Sequence, residues 1–176
     1  MDLENSTARF WSWWERVLED APKTAVGQIT TAAGFRIDHT GGGCLAWGKN
    51  LAGKHYVWIT DTSGGGLGDT PEDEFTVGLY NDDGDPIDTA DVLPNLQAAL
   101  DWAEAREIVV RWFDRFGLGY HPDTRGADYV DQHGARSLTD EEAAAYDRDI
   151  DRLFAISPHP YAVGITLMDK VVNANE

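Results

Sequence analysis

The segment HYVWITDTSGGGLGDTPEDEFTVGLYNDDGDPIDTA, residues 55–90, decides the fold. Its opening run alternates Val57 and Ile59 with Tyr56 and Trp58, β-branched and aromatic residues that suit a pleated strand. Both faces of that run are apolar. The strand is therefore expected to lie centrally, covered on both sides, or covered on one side with an aromatic face left for a ligand. A second run, residues 75–80, follows a glycine- and acid-rich connection. Asn81-Asp82-Asp83-Gly84 then offers residues that tolerate positive φ in a tight reversal before a third run at 86–89.

Upstream, runs at 28–31, 34–39 and 44–47 have the same texture, separated by Gly41-Gly42-Gly43 and by the turn at 50–53. An antiparallel meander of about five strands is expected over residues 28–90. Before it, Phe10, Trp13, Trp14, Val17 and Leu18 recur at helical spacing, predicting a helix over 6–19 with Asn5 or Ser6 as cap. Trp11 lies at the margin of that stripe, and core packing of the indoles competes with a partner-docking role.

After the sheet, a helix is expected from about Leu93 with Asp91 as cap and Pro94 in its first turn, either unbroken to Gly117 or interrupted near Ala105. Residues 117–137 form a Gly-, Pro-, Asp- and His-rich loop. Thr139-Asp140-Glu141-Glu142 then has the spacing of a capping box ahead of Ala143, Tyr146, Ile150, Leu153 and Phe154. Residues 162–168 are a short apolar segment that suits a strand or a helix. The expected plan is one α+β domain over residues 1–176: an N-terminal helix, an antiparallel sheet, and two or three C-terminal helices packed on it.

The same 55–90 segment also dominates the charge. Residues 55–105 hold twelve acidic side chains and no lysine or arginine, in a chain of net charge −17. Such a field repels nucleic acid and anionic membrane and attracts basic partners and cations. Loop acids that only keep a chain soluble are the competing reading. Seven tryptophans and a length of 176 residues support a folded core despite the charge. No apolar run is long enough to span a membrane and no basic, then hydrophobic, leader opens the chain, so an intracellular, cytoplasmic protein is expected.

Signatures of chemistry are few. The lone Cys44 has no disulfide partner, and its neighbours Leu45, Ala46 and Trp47 suggest a small packed residue. An EF-hand register with glycine at Gly84 would put Leu79 and Ala90 at ligand positions, so that motif is absent. The glycines 64–66 are not followed by Lys-Ser or Lys-Thr and are flanked by acids, which disfavours a phosphate cradle. No metal site and no cofactor are expected. His121 and Asp123, with His133 further along the same loop, are the weak catalytic or metal candidates: a carboxylate beside an imidazole can orient a general base.

Two stretches carry a resemblance. Gly41-Gly42-Gly43-Cys44-Leu45-Ala46-Trp47 through Val77-Gly78-Leu79-Tyr80-Asn81-Asp82-Asp83-Gly84, and Gly119-Tyr120-His121-Pro122-Asp123-Thr124 through Tyr161-Ala162-Val163-Gly164, resemble small uncharacterised proteins of actinobacterial phages and integrated elements. The matching residues are turn and packing residues, so the resemblance implies a setting of accessory genes that redirect host proteins and transfers no functional side chain.

The leading expectation is thus a non-enzymatic acidic binder, an inhibitor or partial nucleic-acid mimic that engages a basic protein partner such as a nucleic-acid-binding host or defence protein. The candidate contact residues are Asp69, Glu72, Asp73, Glu74, Asp82, Asp83, Asp85, Asp88 and Asp91 around the aromatic pair Tyr56 and Trp58. They are expected as two acidic poles, residues 69–74 and 82–91, bracketing the sheet. An enzyme built on the 121–133 loop and a scaffold that self-associates as a homodimer are the alternatives.

Overall fold

A computed structural model describes residues 3–63, 65–115, 117, 120 and 139–157. Helix α1 (Leu3–Asp20) leads through a 3-10 turn (Ala21–Lys23) into helix α2 (Ala25–Ala32). Strands β1 (Arg36–Gly41), β2 (Cys44–Asn50), β3 (Tyr56–Asp61), β4 (Phe75–Tyr80) and β5 (Pro86–Leu93) follow, then helices α3 (Leu96–Arg115) and α4 (Asp140–Ile156). The sheet has the order β1-β2-β3-β4-β5 with every neighbouring pair antiparallel, so the α+β plan read from the sequence is the one observed.

Alternation sets which face is covered. Ile37, Trp47, Ile59 and Val77 stand opposite one another across the first four strands, and Val57 faces Leu79 one pleat along. All six are buried. They meet α3, whose buried Leu96, Ala99, Leu100 and Ala103, and beyond them Ala105, Val109 and Phe113, recur at three- and four-residue spacing. Each of the larger side chains removed from water contributes about 1.5–3 kcal/mol. Trp47 also donates its indole N–H to the Leu67 carbonyl at 2.9 Å, which ties the long β3–β4 connection to the core.

The expected strand over 28–31 is helical instead, as part of α2. Thr24 accepts the Gly27 N–H at 3.0 Å and starts the helix. The hydroxyls of Thr30 and Thr31, which favour a strand when read by propensity, bond back to the carbonyls of Val26 and Gly27. Gly27 permits the tight return from the 3-10 turn: a β-carbon there would stand 1.9 Å from the Ala21 carbonyl oxygen.

The expected start of α3 at Leu93 with Asp91 as cap is also corrected. β5 continues through Leu93, and Asn95 caps the helix by accepting the Ala98 N–H at 2.9 Å. The helix then runs unbroken to Arg115. The Thr139 capping box is present as expected.

Helix α1 begins at Leu3, upstream of the expected cap, and its stripe is only partly covered. Trp13, Trp14 and Val17 pack against the core, with Phe10 and Trp14 edge-on to the His39 ring, while Phe10, Trp11 and Leu18 remain exposed. Core packing thus holds for Trp13, Trp14 and Val17 of the stripe and not for Phe10 and Leu18. The helix touches the sheet at its β1–β2 edge, so one arc of the stripe stays outside.

His121, Asp123, His133 and the segment 162–168 lie outside the described residues. Among the described residues no helix is long and apolar enough to cross a membrane.

Candidate functional site

The acidic side chains divide by position along β4. The β3–β4 connection brings Asp69, Glu72, Asp73 and Glu74 to the Phe75 end, and the β4–β5 turn brings Asp82, Asp83 and Asp85 to the Tyr80 end. Six residues at about 3.3 Å each separate the two groups by roughly 20 Å. Asp91 changes sides relative to the sequence reading. β5 runs back along β4, with Leu93 opposite Phe75, and Thr76 donates its hydroxyl to the Asp91 carbonyl at 2.8 Å. Asp91 therefore joins the 69–74 group.

Three of the candidate acids already have partners within the chain. Asp73 closes its own turn, accepting the N–H groups of Asp69 at 3.0 Å and Thr70 at 2.8 Å, and the Thr70 hydroxyl at 3.0 Å. The bonds from Thr70, backbone first, hold its carboxyl below the usual carboxylate range. Asp88 stands opposite Leu79 on the helix-facing side of the sheet, where Arg106 reaches it through Nε at 3.0 Å and Nη2 at 2.9 Å. The same guanidinium lies 3.9 Å from the ring centroid of Trp102. Asp82 pairs with Lys54 at 3.3 Å, an exposed contact worth little.

Asp69, Glu72, Glu74, Asp83, Asp85 and Asp91 remain, all exposed and none in an ion pair with a described residue. The turn that carries Asp83 and Asp85 is rigidly held, because the Asn81 side chain accepts both of their N–H groups, at 3.1 and 2.9 Å.

At the Tyr80 end of β4, on the face of the sheet away from α3, Tyr56, Trp58 and Tyr80 form one aromatic group beside the Asp82–Asp85 turn. Tyr56 stacks on Tyr80 with centroids 5.2 Å apart and planes 12° apart, and Trp58 tilts against both at 4.9 and 5.1 Å. In the register, Trp58 stands between Gly48 and Gly78. Neither neighbour projects a side chain, and the space is taken diagonally: a β-carbon on Gly48 would lie 1.9 Å from the Asp38 carboxylate, and one on Gly78 would lie 2.6 Å from the Tyr80 ring. Trp58 donates its indole N–H to Asp38 at 3.2 Å. Burial, then the charges of Tyr80, Asp38 and Asp85, raises the Tyr56 phenol above its ordinary value, and burial does the same for Tyr80.

Asp38 and Tyr80 are the residues that sequence reasoning left out. The contact between Asp38 and Trp58 spans twenty residues and depends on the β1-β2-β3 register. Its only sequence signal was an isolated acid inside a strand.

Clefts open among the described elements, two of them beside the sheet. One, of about 420 Å³, has an apolar floor of Phe35, Leu100 and Ile108. Its walls carry the ion pairs Lys49–Glu107, Arg111–Asp149 and Arg152–Glu104, each at 2.6 Å. The hydrogen bond from Arg152 holds the Glu104 carboxyl below its ordinary range. The other cleft, of about 530 Å³ and more open, lies between α1 and the β3–β4 connection, with Trp13, Val17 and Leu67 beside Asp61 and Asp69. Among the described residues no group of three or more His, Cys, Asp or Glu is placed to hold a metal ion.

No family model matches the chain, and neither curated proteins nor solved structures give a match.

Proposed function

We propose that the chain is an acidic binding protein that clamps a basic surface of a protein partner. Within the setting that its phage-like sequence stretches imply, that partner is a host or defence protein, and binding occupies its basic site. The observation that carries this reading is the set of exposed, unpaired carboxylates held in two groups about 20 Å apart. Asp73 is taken up by its own turn and Asp82 and Asp88 each face a cation, so six candidate carboxylates remain with no ion pair to a described residue. Charges of one sign on either side of a less polar surface steer a complementary patch into register and suppress partners of the wrong sign.

A continuous duplex mimic is the less favoured form of the idea. Duplex DNA presents about one charge per 1.7 Å of axis. β3 and β4 carry no acid between Tyr56 and Tyr80 except at the Asp61 end, so the negative charge is interrupted across the sheet.

The test is affinity capture with the full chain at about 50 mM and 1 M salt, beside a variant with Asp69→Asn, Glu72→Gln, Asp83→Asn, Asp85→Asn and Asp91→Asn. A basic partner that is retained at low salt, released at high salt, and lost by the variant supports the reading once the purified pair reproduces it. A partner bound equally by both proteins, or by neither, overturns it.

A further inference from the structure

We propose that the aromatic group Tyr56, Trp58 and Tyr80, together with Asp38, receives an arginine side chain of the basic partner. The guanidinium would stack on the rings while pairing with the carboxylate. This inference rests on the clamp reading and names the chemistry beside one of its two acidic groups.

Four observations support it. The chain builds the same arrangement for itself on the opposite face of the sheet, where the Arg106 guanidinium lies 3.9 Å from the Trp102 ring centroid and bonds to Asp88 at 2.9 and 3.0 Å. The outer face presents the matching pair, a tryptophan whose N–H fixes a carboxylate at its edge, at 3.2 Å. Its three rings are half-buried, so each keeps part of its surface in contact with solvent. Without β-carbons on Gly48 and Gly78, Asp38 and Tyr80 come up against Trp58, which brings ring and carboxylate together on one surface.

Charge selects the occupant. Asp83 and Asp85 stand on the turn next to Tyr56, whose hydroxyl lies 3.6 Å from where a β-carbon on the intervening Gly84 would be. Among the described residues the nearby cations are Lys54, paired with Asp82, and Arg36, whose Nε lies 3.3 Å from Asp38. Arg36 is 67% exposed, so its hold on Asp38 is weak, and the other carboxylate oxygen is the one that faces Trp58. A planar guanidinium stacks on an aromatic face and forks onto a carboxylate. An ammonium offers only a compact, strongly hydrated charge. Arginine is therefore preferred to lysine here.

The experiment titrates the full-length protein with a hexa-arginine and a hexa-lysine peptide by calorimetry, and follows the Trp58 indole N–H by NMR, assigned with Trp58→Phe. The wild type is expected to prefer arginine by roughly fivefold, the scale of one cation–π contact, with the Trp58 indole signal shifting on binding. Tyr56→Leu and Asp38→Asn, each with a wild-type thermal melt, are expected to bind both peptides alike while keeping the salt-sensitive component. Equal affinity of the wild type for the two peptides, or a preference that survives both substitutions, overturns the aromatic site and leaves the clamp standing. Failure of the wild type to bind either peptide at low salt overturns both.

Discussion

Asp88→Asn separates the acids that hold the fold from those left for binding. Asp88 and Arg106 are 22% and 15% exposed, and the guanidinium places two nitrogens within 3.0 Å of the same carboxylate oxygen. Removing one partner of a buried ion pair costs about 3–5 kcal/mol, because the other charge is left without compensation. Here the pair lies at the rim of the core and Arg106 keeps its contact with Trp102, worth up to about 2 kcal/mol. The expected loss is therefore about 2–3 kcal/mol, a large fraction of an ordinary folding stability. With a slope of about 2 kcal/mol per molar urea, the unfolding midpoint should fall by roughly 1–1.5 M at unchanged slope. Asp83→Asn, on an exposed turn with no ion pair to a described residue, should stay within about 0.5 kcal/mol of wild type. Equal midpoints for the two variants would refute the assignment of Asp88 to the fold.

Other substitutions probe the remaining inferences. Gly27→Ala should destabilise by about 1–3 kcal/mol, although the same change at an unobstructed helical site gains about 1 kcal/mol, because the new β-carbon meets the Ala21 carbonyl. A urea midpoint that rises would contradict the close approach. Thr139→Ala should cost about 1 kcal/mol through loss of the α4 cap, measured in the same way. Tyr120 is buried and its hydroxyl meets no partner among the described residues, so Tyr120→Phe should leave stability unchanged or raise it at neutral pH. Burial pushes that phenol up to about 12, while an unfolded tyrosine ionises near 10. The folded state thus binds the proton more tightly, and the stability this confers is intact below pH 10 and lost as pH rises from there through 12. Tyr120→Phe should remove part of that alkaline loss in pH-dependent urea melts.

The sheet was legible because Val57, Ile59, Val77 and Leu79 alternate, and because Asn81 and Gly84 mark a turn. α2 was misread because Ile29, Thr30 and Thr31 look strand-like in isolation. The Thr24 cap and the back-bonding hydroxyls that settle the helix depend on local geometry rather than on apolar period. Sequence placed Asp91 with Asp82, since nine residues look like proximity, whereas an antiparallel return carries a strand's far end to the opposite pole. The pairing of Asp88 with Arg106 and of Asp38 with Trp58 crosses elements, so charge content alone gave no sign of which acids were already engaged. Tyr56 and Trp58 were recognisable as an aromatic pair on one strand face, but Tyr80 joined them only once β4 was in register.

The most direct measurement is the affinity of the purified chain for its captured basic partner, as a function of salt, beside the variant lacking Asp69, Glu72, Asp83, Asp85 and Asp91 carboxylates. A clamp held by exposed charge should weaken steeply as salt screens it, and the variant should bind weakly with a flattened salt dependence. Affinity that is insensitive to salt, or a variant that binds as tightly as the wild type, would contradict the central claim.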